Sequence, residues 1–343
     1  MRSARTSGAG LGVDQGAQMT DDTIELNERL SHGGLVHISA GEYLIDAALN
    51  VGSDTTVVGD GAATIIRRAD GADCHVFRIE GHDIDISRLV VDGNNPAGKQ
   101  GAGHGIVLAG SVCGRVTVHD LTVYRCARDG IAFAAERSRD CDVTGCIVFG
   151  CEGAGITVRS GVSIDGAFSD NRVWATNEMN VGVTSVAHGF AIRGNRCNYT
   201  QIADNITCYG DVSSGVTITG NICRDSGRNG IHFGGDDSVI SGNIVSGAAK
   251  YGIQLRQQGS DISHGLNCTG NSITTAGKSG IWAEDCEGSS ITSNVVRDCA
   301  EHGIWLKTVK HSTIADNTIT GCMQDRVYET MGCEDNHISG DWV

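Results

Sequence analysis

An apolar residue returns every 25 positions through the middle of this chain, and that spacing constrains the fold more than any other feature. Ile106, Ile131, Ile156, Val181, Ile206 and Ile231 form the regular part of the series. Ile253, Ile281 and Ile304 continue it at steps of 22, 28 and 23. Glycine precedes most of them (Gly105, Gly130, Gly155, Gly230, Gly252, Gly280 and Gly303), and Asn180 and Asn205 stand in its place twice. Both residue types tolerate the left-handed backbone of a sharp turn. Two positions after each member lies a second, mostly apolar residue: Leu108, Phe133, Val158, Val183, Cys208, Phe233, Leu255, Ala283 and Leu306. A period of two marks a strand with one buried face. A longer fixed period marks a stacked structural unit.

Two further columns keep the same spacing. Asn171, Asn195, Asn221, Asn243, Asn271, Asn294 and Asn317 each precede a further β-branched or apolar segment. Amides stacked at successive turns can bond to one another, which buried polar side chains require. Four positions before each glycine or asparagine the chain reads Gly101, Cys126, Cys151, Thr176, Gln201, Ser226, Ala248, Ala276 and Cys299. Nearly all are small, so this column faces an interior, and Cys126, Cys151 and Cys299 are expected to be buried thiols. One such unit cannot bury its own apolar face, whereas units stacked about 4.8 Å apart share a continuous core. The expectation is an all-β chain forming a single right-handed parallel β-helix of three-strand rungs over residues 35–343. Residues 1–34 form an arm and a short capping helix. Asp22 followed by Glu25 resembles a capping box, Gly33-Gly34 ends the helix, and Ile24 and Leu30 plug the open end of the solenoid. The irregular tail Met323 to Val343 is expected to cover the other end.

The totals exclude some functions. Forty-one acidic against 26 basic residues give a net charge of −15. That field repels phosphate backbones, which argues against a nucleic-acid partner. It is also unfavourable for polyanionic sugars unless a metal ion or a local basic cluster compensates. No apolar run approaches 18 residues, so no membrane span is expected. The chain has 14 Cys but no Cys-x-x-Cys pair, and its first 20 residues hold no apolar run. Together these point to a reduced, cytoplasmic protein with free thiols.

The segment Thr20-Asp21-Asp22-Thr23, then Gly34 to Ile45, then Val57-Val58-Gly59-Asp60-Gly61, resembles the entry into pectate-lyase-like and phage-tailspike β-helices. With the repeated Gly-Ile strand and Asn turn, the chain resembles the pectate-lyase-like β-helix superfamily over about residues 13–340. The resemblance implies the fold. It also implies a range of activities: polysaccharide lyases, hydrolases, epimerases, binding modules and some enzymes of small molecules. It places the substrate groove along the strand that carries Gly-Ile.

The outward positions of that strand follow from its alternation. One column is Val107, Ala132, Thr157, Gly182, Thr207, His232, Gln254, Trp282 and Trp305. The next is Ala109, Ala134, Arg159, Thr184, Tyr209, Gly234, Arg256, Glu284 and Lys307. The turn just before contributes His104, Asp129, Ala154, Met179, Asp204, Asn229, Tyr251, Ser279 and His302. Polar and aromatic residues concentrate from Asp204 to Lys307, so the site is expected there. His232 and Tyr209 can divide proton removal and donation, and Arg256 can hold an anion. Trp282, Trp305 and Tyr251, with Gln254, Glu284 and Lys307, would bind substrate. The competing reading is a surface histidine beside a salt-bridge ladder of Arg256, Glu284 and Lys307, with the tryptophans under a loop or a subunit.

Gly235-Asp236-Asp237 and Gly103-His104-Gly105-Ile106 resemble polygalacturonase-type segments, but in reversed order. An Asp-Pro-His-Asp segment like that of alginate epimerases is absent, the one proline being Pro96. No cofactor is expected. Calcium would need converging carboxylates, for which Asp204, Asp211 and Asp236 are the candidates. The leading expectation is a carbohydrate-active lyase or epimerase acting by proton abstraction on an oligosaccharide. The alternatives are a cofactor-independent cyclase or isomerase of a small molecule, and a non-catalytic binding or spike-like solenoid.

Overall fold

The computed structural model describes residues 19–340 apart from 97, 100, 160–162, 185 and 258–260, and leaves aside the side chains of 163, 211 and 212. The chain coils into a parallel β-solenoid. The third strands of successive rungs form one 12-stranded sheet, and the first and second strands run together in another sheet. The 25-residue series lies in one register. Ile106, Ile131, Ile156, Val181, Ile206 and Ile231 are successive strand partners, and Ile253, Ile281 and Ile304 extend the column. All nine are fully buried. Phe133, Phe168 and Phe190 thicken the aliphatic core, with ring centroids 5.4 and 4.9 Å apart.

The asparagines form the expected ladder. From Asn171 to Asn317, each side-chain amide donates to the next Oδ1 at 3.0 Å or just under. The same oxygen accepts the backbone N–H of the preceding asparagine. Cys146 stands one rung before Asn171 and donates its own N–H to the Asn171 Oδ1. The small-residue column is interior as expected except at Gly101, which is half-buried, and at Gln201, which is exposed. Cys126, Cys151 and Cys299 are buried and free. Burial pushes the thiols of Cys208 and Cys268 up to about 12, which makes them packing groups rather than nucleophiles.

The ends differ from expectation. The helix runs Asp21–Ser31, and its cap is Thr20, whose hydroxyl accepts the Thr23 N–H, rather than an Asp22–Glu25 box. Asp22 instead accepts the Leu44 N–H and ties the helix to the first rung. Leu26 and Leu30 plug the core, whereas Ile24 is 44% exposed on the opposite side. The expected arm before residue 19 lies outside the described residues. The tail is more regular than its sequence suggests. Val327–Glu329 and His337–Ser339 pair in parallel with the last full rung, so the tail adds strands to the solenoid. Residues 341–343 of that tail lie outside the described residues.

Candidate functional site

The groove-facing columns are less open than strand alternation suggests. Val107, Ala132, Thr157 and Thr207 are buried, and His232 and Gln254 are 7% and 8% exposed. The turn residues before the Gly-Ile strand also point inward along the stack. Several of the polar ones accept a backbone N–H from the next rung, whereas Ser279 Oγ and His302 Nδ1 are buried without a hydrogen-bond partner. His104 N–H bonds to His75 Nδ1, Asp129 N–H to His104 Nδ1 and Ala154 N–H to Asp129 Oδ1. Asn229 N–H bonds to Asp204 Oδ1, and Tyr251 N–H to Asn229 Oδ1. These side chains therefore bridge rungs and support the groove floor.

Asp204 is the hub of the polar half of the groove. It is wholly buried. Arg228 Nε donates to it at 2.8 Å, Asn229 N–H at 2.8 Å and the Thr207 hydroxyl at 3.1 Å. His232 Nδ1 lies 3.5 Å from the same carboxylate, near enough for charge attraction but not aligned as a hydrogen bond. Burial alone would raise the Asp204 pKa, yet Arg228 and His232 outweigh it and hold the carboxyl below its ordinary 3.8. The other ring nitrogen, His232 Nε2, faces the Arg256 carbonyl at 3.3 Å. An imidazolium here has an oxygen facing each N–H. The Tyr209 ring lies 4.9 Å from that of His232, and burial pushes its phenol above the ordinary 10, so it keeps its proton at neutral pH. The depressed Asp204 pKa ties stability to pH. The contribution is complete above about pH 4 and is lost as pH falls toward the folded value. Asp204→Asn is expected to flatten the acid limb of the unfolding curve, and an unchanged limb would show that Asp204 is not paired as described.

The aromatic half of the site adjoins this centre. Asn229 Nδ2 donates to Gln254 Oε1 at 2.7 Å. Trp282 follows Gln254 in register, and Trp305 and Tyr328 continue the column. Trp282 packs 4.6 Å from Tyr251 and 5.8 Å from Trp305, and the Arg256 guanidinium lies 5.9 Å from the Trp282 ring centre. The tryptophans are thus half-buried against one another, and Tyr251, read from the sequence as outward, is 7% exposed. Both indole N–H groups are buried without a partner. Arg256 contacts Glu284 at 2.8 Å, and Lys307 contacts the other oxygen of Glu284. The alternating ion-pair column therefore forms, and it occupies the Arg256 guanidinium.

A second centre escaped the sequence reading. Asp129, fully buried, accepts two bonds from Arg159 and lies 3.1 Å from His104 Nδ1. His104 stacks on His75 at 5.1 Å. Asp129 and Asp204 occupy the same turn position three rungs apart, about 14 Å along the solenoid at ordinary strand spacing. Histidine and aspartate at His104 and Asp129 were visible in the turn column, but nothing in the sequence joins them to Arg159 or His75. Metal ligands gather differently. Among the described residues, one group of three places its ligand atoms together, the exposed Asp54, His82 and Asp83. Asp83 there is already clamped by Arg115. Of the calcium candidates, Asp204 is committed to Arg228, Asp236 accepts the His264 N–H, and the Asp211 side chain lies outside the described residues.

Several solved structures share the architecture. The A-module of the mannuronan C-5 epimerase AlgE6 from Azotobacter vinelandii superposes with a TM-score of 0.77 at 15% identity, covering 93% of this chain and 95% of that one. The catalytic unit of the GH87 alpha-1,3-glucanase from Streptomyces thermodiastaticus strain HF3-3 gives 0.67 at 15% identity, over 96% of this chain and 66% of that one. The Dettilon tailspike protein gives 0.59 at 13% identity, over 93% and 64%. At such identities the likeness establishes the right-handed parallel β-helix fold and nothing finer. No curated protein matches the chain in sequence. The family described as NosD, periplasmic copper-binding protein, matches residues 164–340, more than half of the chain, and the chain belongs to that family.

Proposed function

We propose that this chain is a carbohydrate-active lyase or epimerase that removes a proton from a sugar residue bound across the groove. The observation that carries the reading is the pair of buried Asp–Arg–His centres about 14 Å apart along one face. A polymer can lie across both, and a compact small molecule cannot. Proton abstraction from a sugar carbon needs a neighbouring carboxyl to stabilise the carbanion, so the substrate class is a uronate-bearing polysaccharide. His232 takes the proton at Nε2 once that nitrogen turns off the Arg256 carbonyl, and the Asp204 carboxylate 3.5 Å from Nδ1 stabilises the charge the ring gains. Tyr209, held protonated by burial, supplies a proton. Delivered to the leaving oxygen as the C–O bond breaks, that proton completes a lyase step. Delivered to the opposite face of the same carbon, it completes an epimerisation. Arg256, whose carbonyl faces His232, is assigned the substrate carboxylate once its guanidinium leaves Glu284.

The family description invites copper, but the described residues do not fit it. Copper favours thiolate, thioether and imidazole ligands. The one three-ligand group holds no cysteine and lies outside the segment that matches the family. The unpartnered indole N–H groups favour a second reading, a cyclase or isomerase of a polycyclic small molecule over Trp282 and Trp305. Incubation in deuterated water separates the two. Deuterium incorporation into a uronate polymer, or a new unsaturated product absorbing in the ultraviolet, supports the first reading. The absence of both exchange and an unsaturated product on every uronate polymer sinks it.

A further inference from the structure

The outer face of the third-strand sheet carries a second feature that the groove chemistry does not use. Tyr124, Phe149 and Trp174 are register partners in three successive rungs. Their rings stack almost parallel, with centroids 5.1 and 4.8 Å apart and interplanar angles of 5° and 4°. The stack stops at Trp174, whose partner in the next rung is Asn198. A cavity of about 360 Å³ opens there, lined by Arg172, Trp174, Arg196, Asn198, Ile222 and Arg224. Its size falls within the roughly 300–1,000 Å³ of small-ligand sites.

The charges around that cavity are unusual for this chain. Arg172 and Arg196 are direct partners on neighbouring strands, and Arg224 follows Asn198 in the Trp174 column. All three are exposed. Like charges placed directly opposite one another destabilise a sheet. In the earlier rungs of the same face such charges are neutralised, since Arg67 and Arg125 both pair with the buried Asp92. Among the described residues, Arg172, Arg196 and Arg224 have no ion-pair partner, and the Arg172 guanidinium rests 6.0 Å from the centre of the Trp174 ring. Three unpaired guanidiniums in a chain of net charge −15 hold an uncompensated local positive field. Planar forks of this kind match carboxylates.

We propose that this face binds an acidic polysaccharide, with one sugar ring stacked on Trp174 in the place an aromatic ring would take at Asn198 and carboxylates on Arg172, Arg196 and Arg224. The ligand class rests on the function proposed above. The site itself is a separate holding surface that keeps a polyuronate on an otherwise repellent molecule. Stacked rings beside arginines suit a nucleic acid in general, and the net charge repels both polyanions alike, so the choice of a uronate follows from the function proposed above.

The test uses the full chain, its Arg172→Gln/Arg196→Gln/Arg224→Gln variant, Trp174→Ala and His232→Ala. Affinity for polymannuronate oligomers is measured by calorimetry at low and high salt, with a neutral glucan as control. The triple variant is expected to lose at least about tenfold in affinity together with most of the salt dependence. Trp174→Ala should weaken binding with the salt dependence kept, and His232→Ala should still bind at this face. Unchanged affinity in the triple variant overturns the proposal, as does equal arginine-dependent binding of the neutral glucan. Tighter arginine-dependent binding of oligothymidylate than of the uronate overturns it too, as does an arginine-dependent dimer in sedimentation. If arginine-dependent uronate binding persists while no uronate is ever turned over, the proposed function fails and this site stands. If His232→Ala abolishes turnover while the triple variant binds normally, the site fails and the function stands.

Discussion

His232→Ala is expected to lower kcat on the true substrate by about 10²- to 10⁴-fold, the range that a positioned acid or base contributes. KM should change little, because the imidazole is 7% exposed and offers little surface to a ground-state ligand. Tyr209→Phe keeps the ring that packs 4.9 Å from His232 and removes only the phenol, so it should lower kcat with the fold intact. If His232 is the base, solvent deuterium no longer enters substrate in His232→Ala, and that readout separates lost proton transfer from lost packing. Trp282→Ala should act the other way, raising KM more than it lowers kcat, because its ring packs against Tyr251, Trp305 and Arg256 rather than beside the proton-transfer pair. Full activity in both His232→Ala and Tyr209→Phe would move the chemistry to the Asp129 centre or off this face.

How far the sequence reaches can be traced residue by residue. The column from Ile106 to Ile304 is legible because a solenoid repeats one environment, so burial appears as spacing. The Asn171 to Asn317 ladder is legible for the same reason. The pairing of His232 with Tyr209 follows from strand alternation between adjacent rungs. What alternation does not give is whether an outward residue is covered. Trp282 lies on the outer side of its strand, yet Tyr251 from the turn one rung earlier packs against its ring. Turn residues are harder still, since a corner has no period. Asp204 stood in the right column, but its bond to Arg228 depends on how the corner of the next rung folds back. His75 belongs to a rung whose strand begins at Phe77, 29 positions before Ile106, so the 25-residue spacing does not find it. The arginine face had a signal that went unread. Arg172 and Arg196 each directly follow a ladder asparagine, and so share one outward column of the third strand.

The largest effect on stability is expected at the centre of the asparagine ladder. Asn221 is fully buried. Its Oδ1 accepts the Asn195 N–H at 2.9 Å and the Asn195 amide at 3.0 Å. Its own amide donates to the Ile192 carbonyl at 2.9 Å and to Asn243 Oδ1 at 3.0 Å. Asn221→Ala removes the acceptor for two buried donors, which at roughly 1–3 kcal/mol each gives a loss of about 2–6 kcal/mol. That is a large share of the roughly 5–15 kcal/mol typical of a folded domain. Asn221→Asp should be worse, since it places carboxylate oxygens against the Ile192 carbonyl and Asn243 Oδ1 and buries a charge without a partner. Asn317 is the internal control. It accepts from Asn294 in the same way and donates to the Ile291 carbonyl, but it has no further asparagine to donate to and sits at the last rungs. Rungs near an end also open locally at lower cost than rungs in the middle. Urea unfolding of Asn317→Ala should therefore show a smaller midpoint shift than Asn221→Ala. Equal and small shifts, below about 1 kcal/mol for both, would mean that the backbone relaxes to recover these bonds. The stacked Ile and Val column would then hold the rungs in register by itself.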